Sequence, residues 1–170
     1  MEEVIVVKHN PDWARQYQEE AARITAAIAD ICLEIEHIGS TAVPGLSAKP
    51  VLDMMVGVQS LDMVSSEHKA QLLELGYEYV HKPEFPDRLF FRRGKWRAGT
   101  HHLHIYKLNS SSWRNQLLFR DYLRNHPDKA SEYELLKRKL EQQYQFDRVA
   151  YTHGKGDFIQ DVIRLASEDT

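Results

Sequence analysis

The residues best suited to chemistry begin at Gly39-Ser40, where the run Ile35-Glu-His-Ile38 ends and a loop containing Pro44, Gly45, Lys49 and Pro50 begins. Backbone amides of a small-residue turn, with the hydroxyls of Ser40 and Thr41 beside them, can point at a phosphate; the same residues also suit an ordinary capped loop. Asp53 follows inside the apolar stretch Val51 to Val58. A carboxylate there is costly unless a metal ion, Lys49 or a backbone donor compensates it. Farther on, His101-His102-Leu-His104-Ile-Tyr106 alternates, so in a strand His102, His104 and Tyr106 share one face while Leu103 and Ile105 turn to the core. Two such histidines suit a metal ion that finds a third ligand, or a phosphate when protonated, or simply a half-exposed polar strand. Lys49, Arg88, Arg92, Arg93, Arg97 and Lys155 are the cations from which an anionic substrate could draw partners, Lys49 and Lys155 being the least ordinary in context.

Two familiar phosphate motifs do not fit. A Walker A loop needs G-x-x-x-x-G-K-[ST] running into a helix; here Gly39 and Gly45 are one residue too far apart, Leu46-Ser47 follows, and Pro50 blocks the helix. A His-x-Gly-His turn would need a second histidine where Ser40 stands.

These residues need elements to hold them. Residues 3 to 7 are β-branched and read as a short edge strand. Asn10-Pro11 opens a helix over about 11–30, in which Trp13, Tyr17, Ala21, Ile24 and Ile28 recur at helical spacing. Leu33 to Ile38 and Val51 to Val58 read as strands, the second apolar enough to be covered on both faces. Ser60 is the expected cap of a helix over about 61–75 that ends at Gly76, with His68 at its surface edge. Tyr77 to Val80, Arg88 to Arg93 and His102 to Lys107 complete the strands, the last two as a hairpin. After Ser112 the chain is helical, broken at Pro127 and at Gly154 to Gly156. This order predicts an α+β fold: a single domain, about 1–108 forming a small mixed β-sheet backed by helices and about 112–168 a helical C-terminal third packed on it.

With 170 residues, 42% of them hydrophobic, the chain can bury a sizeable core. A net charge of -3 with dispersed Lys and Arg argues against a surface for duplex nucleic acid. One cysteine, Cys32, excludes an intrachain disulfide and a multi-cysteine zinc site, and reads as a small hydrophobe. No apolar run is long enough to span a bilayer, and the N-terminus lacks the pattern of an export signal, so the expected setting is the cytoplasm, away from membranes.

His37-Ile-Gly-Ser-Thr-Ala-Val-Pro-Gly-Leu46, then Lys49-Pro50 and Asp53, resembles the signature of the GrpB family. Pro11-x-Trp13, His102-Leu-His104 and Tyr151-x-x-x-Lys155-x-x-Phe158 extend the resemblance over nearly the whole chain. It implies a nucleotidyltransferase-like fold. In that superfamily a Gly-Ser turn holds the triphosphate of a nucleotide, two carboxylates one residue apart on the next strand bind magnesium, and a later strand adds a third acid. Gly39, Ser40 and Asp53 match, but Met55 stands at the second acid and His102 and His104 at the third.

The expectation is a nucleotidyltransferase acting on a small-molecule acceptor with an NTP. Gly39, Ser40, Thr41, Lys49, Arg92 and Lys155 would bind nucleotide phosphates. Asp53, His102 and His104 would hold a divalent metal (Mg, Mn or another transition ion), and Asp53 and His104 would be catalytic. The alternatives are an inactive module that binds a nucleotide or phosphorylated metabolite, and an Asp/His metal-dependent hydrolase.

Overall fold

The structure is a computed structural model that describes residues 3–95 and 98–169, so Arg97 lies outside the described residues. Asn10 opens the first helix, its Oδ1 accepting from the Asp12 amide at 2.9 Å. Helix α1 runs Asp12–Ala27, strand β1 Glu34–Ile38 and strand β2 Leu52–Val58. Helix α2 (Ser66–Glu74) and strands β3 (Glu78–Val80), β4 (Arg88–Lys95) and β5 (Ala98–Lys107) follow. The C-terminal third is helical: α3 Ser111–Asn125, α4 Pro127–Gln143, α5 Arg148–His153 and α6 Gly156–Glu168. This is the α+β arrangement expected, a mixed sheet flanked by helices.

The sheet order is β1-β2-β5-β4-β3. All pairings are antiparallel except β2 with β5, which is parallel. A parallel pair cannot be joined by a tight turn and needs a long crossover; α2, β3 and β4 occupy it. One sheet face is apolar and closed: Met54, Val56 and Val58 of β2, Leu103 and Ile105 of β5 and Phe91 of β4 pack against Ile24 of α1, Ile28 just after it and Leu72 of α2. On the other face Met55, Ile38 and Tyr106 meet Trp113 of α3. A Cβ on Gly57 would lie 3.1 Å from the Trp113 ring and 2.6 Å from Leu108, so the glycine admits α3 to the sheet. The remaining area of that face is left for a cavity.

Several local expectations are corrected. Residues 3 to 7 do not join the sheet; Val7 forms an isolated bridge with Ala48, while Val4 and Val6 are buried against Leu140 and Tyr151. Leu33, read as the start of a strand, precedes β1 and is exposed. Strand β3 begins at Glu78, leaving Tyr77 buried ahead of it. Helix α3 is capped by Ser110, not Ser112.

Ser60 caps a short 3-10 turn over Leu61–Met63, and Ser65 caps α2. His68 is not a surface-edge residue: it is buried, its Nδ1 meets the Ser65 amide at 3.0 Å and its Nε2 lies 2.9 Å from Asp30. The misreading has a physical source: Ser60 is followed directly by apolar Leu61 and Ser65 by polar Ser66 and Glu67, yet only the capping box at Ser65 leads into a full helix. Ser65→Ala is therefore expected to lower stability by about 1 kcal/mol, and Ser60→Ala by no more than about 0.5 kcal/mol, as read from urea unfolding midpoints.

Candidate functional site

Ile38, the last residue of β1, sits opposite Asp53 in the β1/β2 register. The chain must therefore turn directly beside the carboxylate. Gly39 makes the turn with φ +74°, and a Cβ there would fall 2.8 Å from Asp53 Oδ2. Both the left-handed backbone and the close approach require glycine. A 3-10 turn over Ser40–Ala42 continues from it. Thr41 is buried with its hydroxyl 2.9 Å from His37 Nε2. Burial holds His37 down to about 4 against the pull of Asp53, so its imidazole is neutral, and it stacks on Tyr17 at 4.8 Å.

The rest of the loop has no ladder to satisfy its backbone, and the C-terminal helices supply the partners. Arg124 Nε donates to the Ala42 carbonyl at 2.9 Å. The Ser47 amide donates to Glu134 at 2.9 Å, and the Lys137 ammonium donates to the Ser47 carbonyl. Val43 and Leu46 are buried among Phe119, Leu123, Tyr133 and Val162.

The parallel register sets Asp53 opposite His102 and Met55 opposite His104. His102 Nδ1 lies 3.2 Å and His104 Nε2 3.6 Å from Asp53 Oδ1. On its far side His104 Nδ1 is 3.0 Å from an Arg88 guanidinium nitrogen. The guanidinium has only N–H to offer, so Nδ1 accepts and Nε2 carries the hydrogen facing Asp53. Burial pushes the Asp53 carboxyl up, but the hydrogen bonds and charges of His102 and His104 outweigh it and hold Asp53 below the usual carboxylate range. Burial likewise lowers His104, against the opposing pull of Asp53. Met55, where a second acid was expected, has no exposed surface and packs with Ile38, Tyr106 and Trp113.

A cavity of about 790 Å³ opens over these groups. Gly39, Ser40, Thr41, Lys49, Asp53, Arg92, His102, His104 and Lys155 all line it, so the structure brings together the site residues read from the sequence. Their distribution is uneven. Lys49 and Lys155 lie over the Tyr151 ring at 5.8 and 4.8 Å, and Lys137 lies over Tyr133 at 4.9 Å. Burial and the neighbouring Lys49 bring Lys155 down to about 8; burial and Lys155 bring Lys137 down to about 7. Arg92 stands elsewhere, on β4 opposite His102. Arg93 is on the reverse face, where its guanidinium holds Glu20 at 2.8 Å and Glu20 accepts from Tyr77 at 2.6 Å. Lys137 was missed. Its signal was a lysine inside the helical stripe Tyr133, Leu136, Leu140, where an apolar residue belongs.

Among the described residues no three His, Cys, Asp or Glu side chains are disposed as a ready metal cage. The donors fit one ion only in part: Asp53 offers a carboxylate, substrate phosphates commonly complete such a shell, and His104 has both ring nitrogens engaged, by Arg88 and Asp53. They do not fit a pair of magnesium ions, because Met55 takes the place of the second carboxylate.

A mixed sheet with a Gly-Ser turn after one strand and an acid on the next is the scaffold of the site. The same fold occurs in the Cid1 poly(U) polymerase solved with Mg 3'-dATP bound, at a TM-score of 0.59 over 88% of this chain and 49% of that one, with 15% identity. Within that fold the chain belongs to the GrpB family, whose model, described as GrpB protein, matches residues 3–165. The crystal structure of conserved protein GrpB from Enterococcus faecalis superposes at a TM-score of 0.89, with 34% identity, 97% of this chain and 98% of that one covered. The glutamate-rich protein GrpB of Alkalihalophilus pseudofirmus is 32% identical over 95% of this chain and 94% of its own length. A dephospho-CoA kinase of Mycolicibacterium paratuberculosis is 30% identical over 96% of this chain, which spans 46% of that protein.

Gly39→Ala is expected to cost about 1–3 kcal/mol through its left-handed backbone and the contact with Asp53, measured by chemical denaturation. Lys137 gives a pH signature. Its folded-state value, about 7, lies below that of the unfolded chain. From pH 7 toward 9.5 the unfolded chain binds more protons, so stability rises with pH across that window. Lys137→Met should flatten that rise, as read from unfolding midpoints at pH 7, 8 and 9.

Proposed function

We propose that the cavity binds the phosphate tail of a nucleoside triphosphate and that the chain transfers the nucleotidyl group to a small-molecule acceptor. One observation carries this reading: Lys49, Lys137 and Lys155, from the loop and two C-terminal helix regions, gather on the cavity that the Gly39-Ser40 turn and Asp53 line. Clustered lysines suppress one another's protonation, and a polyanion reverses that cost. The turn would receive one phosphate and the lysines the rest.

In the transfer, an acceptor oxygen bonds to the α-phosphorus and the bond from that phosphorus to the β-bridging oxygen breaks. Pyrophosphate leaves. The acceptor proton passes to His102 Nε2, the ring nitrogen not facing Asp53. His104, held between Arg88 and Asp53, orients the carboxylate. A divalent ion on Asp53 would neutralise phosphate charge when bound.

Met55 favours a second reading, binding without turnover, since a two-ion mechanism lacks its second carboxylate. Isothermal titration with ATP and GTP in the presence of manganese, followed by product analysis with an acceptor panel, separates the two. Lys155→Gln is expected to weaken NTP binding at least tenfold, about 1.4 kcal/mol. Asp53→Asn is expected to abolish turnover while manganese-free binding persists. Absence of any NTP binding overturns both readings, and tight binding with no product across the panel leaves the second.

A further inference from the structure

The cavity has a second cationic wall, on the other side of Asp53 from the lysines. The strand order puts the Gly39-Ser40 turn at β1/β2, Asp53 on β2, the histidines on β5, Arg88 and Arg92 on β4, and Lys82 just beyond β3. β2 and β4 are separated by β5, so this wall stands roughly 10 Å from the strand of Asp53. Arg88 and Arg92 face the cavity because Arg88 pairs with Tyr106, and Arg92 with His102, on the same sheet face. Lys82 lies 4.9 Å over the Phe90 ring, and the Arg88 guanidinium lies 4.5 Å over Phe85 and 5.5 Å over Phe90.

This wall carries the marks of an anion subsite. Arg88 Nε is buried without a hydrogen-bond partner, although the same guanidinium is fixed through its contact with His104. A buried N–H of this kind calls for a partner. The neighbouring cations also crowd one another: burial lowers Lys82, and Arg88, Arg148 and Arg92 lower it further against the opposing pull of Glu84. Arg148 stands at the mouth. The acids facing this cluster are Glu78, set opposite Arg92 by the β3/β4 register, Glu84 and Asp87, and Asp87 already accepts from Ser112. The aromatic platforms of Phe85 and Phe90 hold the cationic heads in place, so little side-chain freedom remains to be lost on binding.

From this we propose that the β3–β4 wall, formed by Lys82, Arg88, Arg92 and Arg148, is the acceptor subsite and takes a small molecule bearing a phosphomonoester. The proposal rests on the nucleotide reading for the other wall and extends it by naming the acceptor's class. Two anions then flank Asp53, one on each side.

The test is equilibrium dialysis of labelled inorganic phosphate against the full chain, with and without saturating unlabelled tripolyphosphate. Phosphate is expected to remain bound at one equivalent when tripolyphosphate is saturating. Lys82→Gln and Arg92→Gln are each expected to weaken that phosphate at least tenfold while shifting tripolyphosphate affinity by less than threefold, and Lys155→Gln to show the reverse pattern. Complete displacement of phosphate by tripolyphosphate, or equal losses of both ligands in the β4-wall variants, overturns the proposal. Phosphate binding that depends on Arg92 and Lys82 with no tripolyphosphate binding at all keeps the anion subsite and instead removes the nucleotide reading.

Discussion

The parallel pairing of β2 with β5 is the constraint on which the site depends. It sets Asp53 beside His102 and Met55 beside His104, and it fixes which side chains share the open face. Because side chains alternate along a strand, a shift of that register by one residue would send both histidines to the α1/α2 side and bring Leu103 and Ile105 into the cavity. The shift is opposed by the core itself. Met54, Val56, Leu103 and Ile105 are fully buried between the sheet and the helices, and they lock the strands in the one register that keeps them there. The chemistry of one face is thus secured by the hydrophobic packing of the other.

The loop after Gly39 shows a different economy. A segment rich in proline and glycine satisfies only part of its own backbone, and distant side chains complete it: Arg124, Glu134 and Lys137 hold the carbonyls of Ala42 and Ser47 and the amide of Ser47. Lys137 does two things there. It caps a buried carbonyl, and its charge adds to that of Lys155 at the cavity. A buried lysine without a carboxylate in direct contact is destabilising on its own, a cost that the proposed binding of an anion would offset.

Much of this was legible in the sequence, for identifiable reasons. Alternation in His102-Leu103-His104-Ile105 correctly assigned the faces of β5, and the near-continuous apolar run of β2 correctly marked a strand with neighbours on both sides. The clustering of Gly39, Asp53 and the histidines followed once those strands were placed. What stayed hidden depended on contacts between remote segments. Arg92 and Arg93 are adjacent in sequence, and only the sheet separates them into a cavity residue and the partner of Glu20. Val4 and Val6 have strand-forming side chains, but their burial against Leu140 and Tyr151 is decided by the C-terminal helices and leaves them outside the sheet. His68 looked like one more helix-face residue until Ser65 and Asp30 were brought to either side of it.

The dependence of the Gly39-Ser40 loop on α4 also bears on the order in which the molecule assembles. The residues that line the cavity are drawn from segments 39–53, 80–119 and 133–163, and Val4 is tied to the carbonyl of Gln145 at 2.7 Å. Contacts between segments so far apart carry a high entropic cost of closure and form late. The sheet and α1 can gather around their own core first, but the loop cannot settle until the C-terminal helices dock on it. On a ribosome, the site therefore comes into being only after α4 to α6, with Lys137 and Lys155, have emerged.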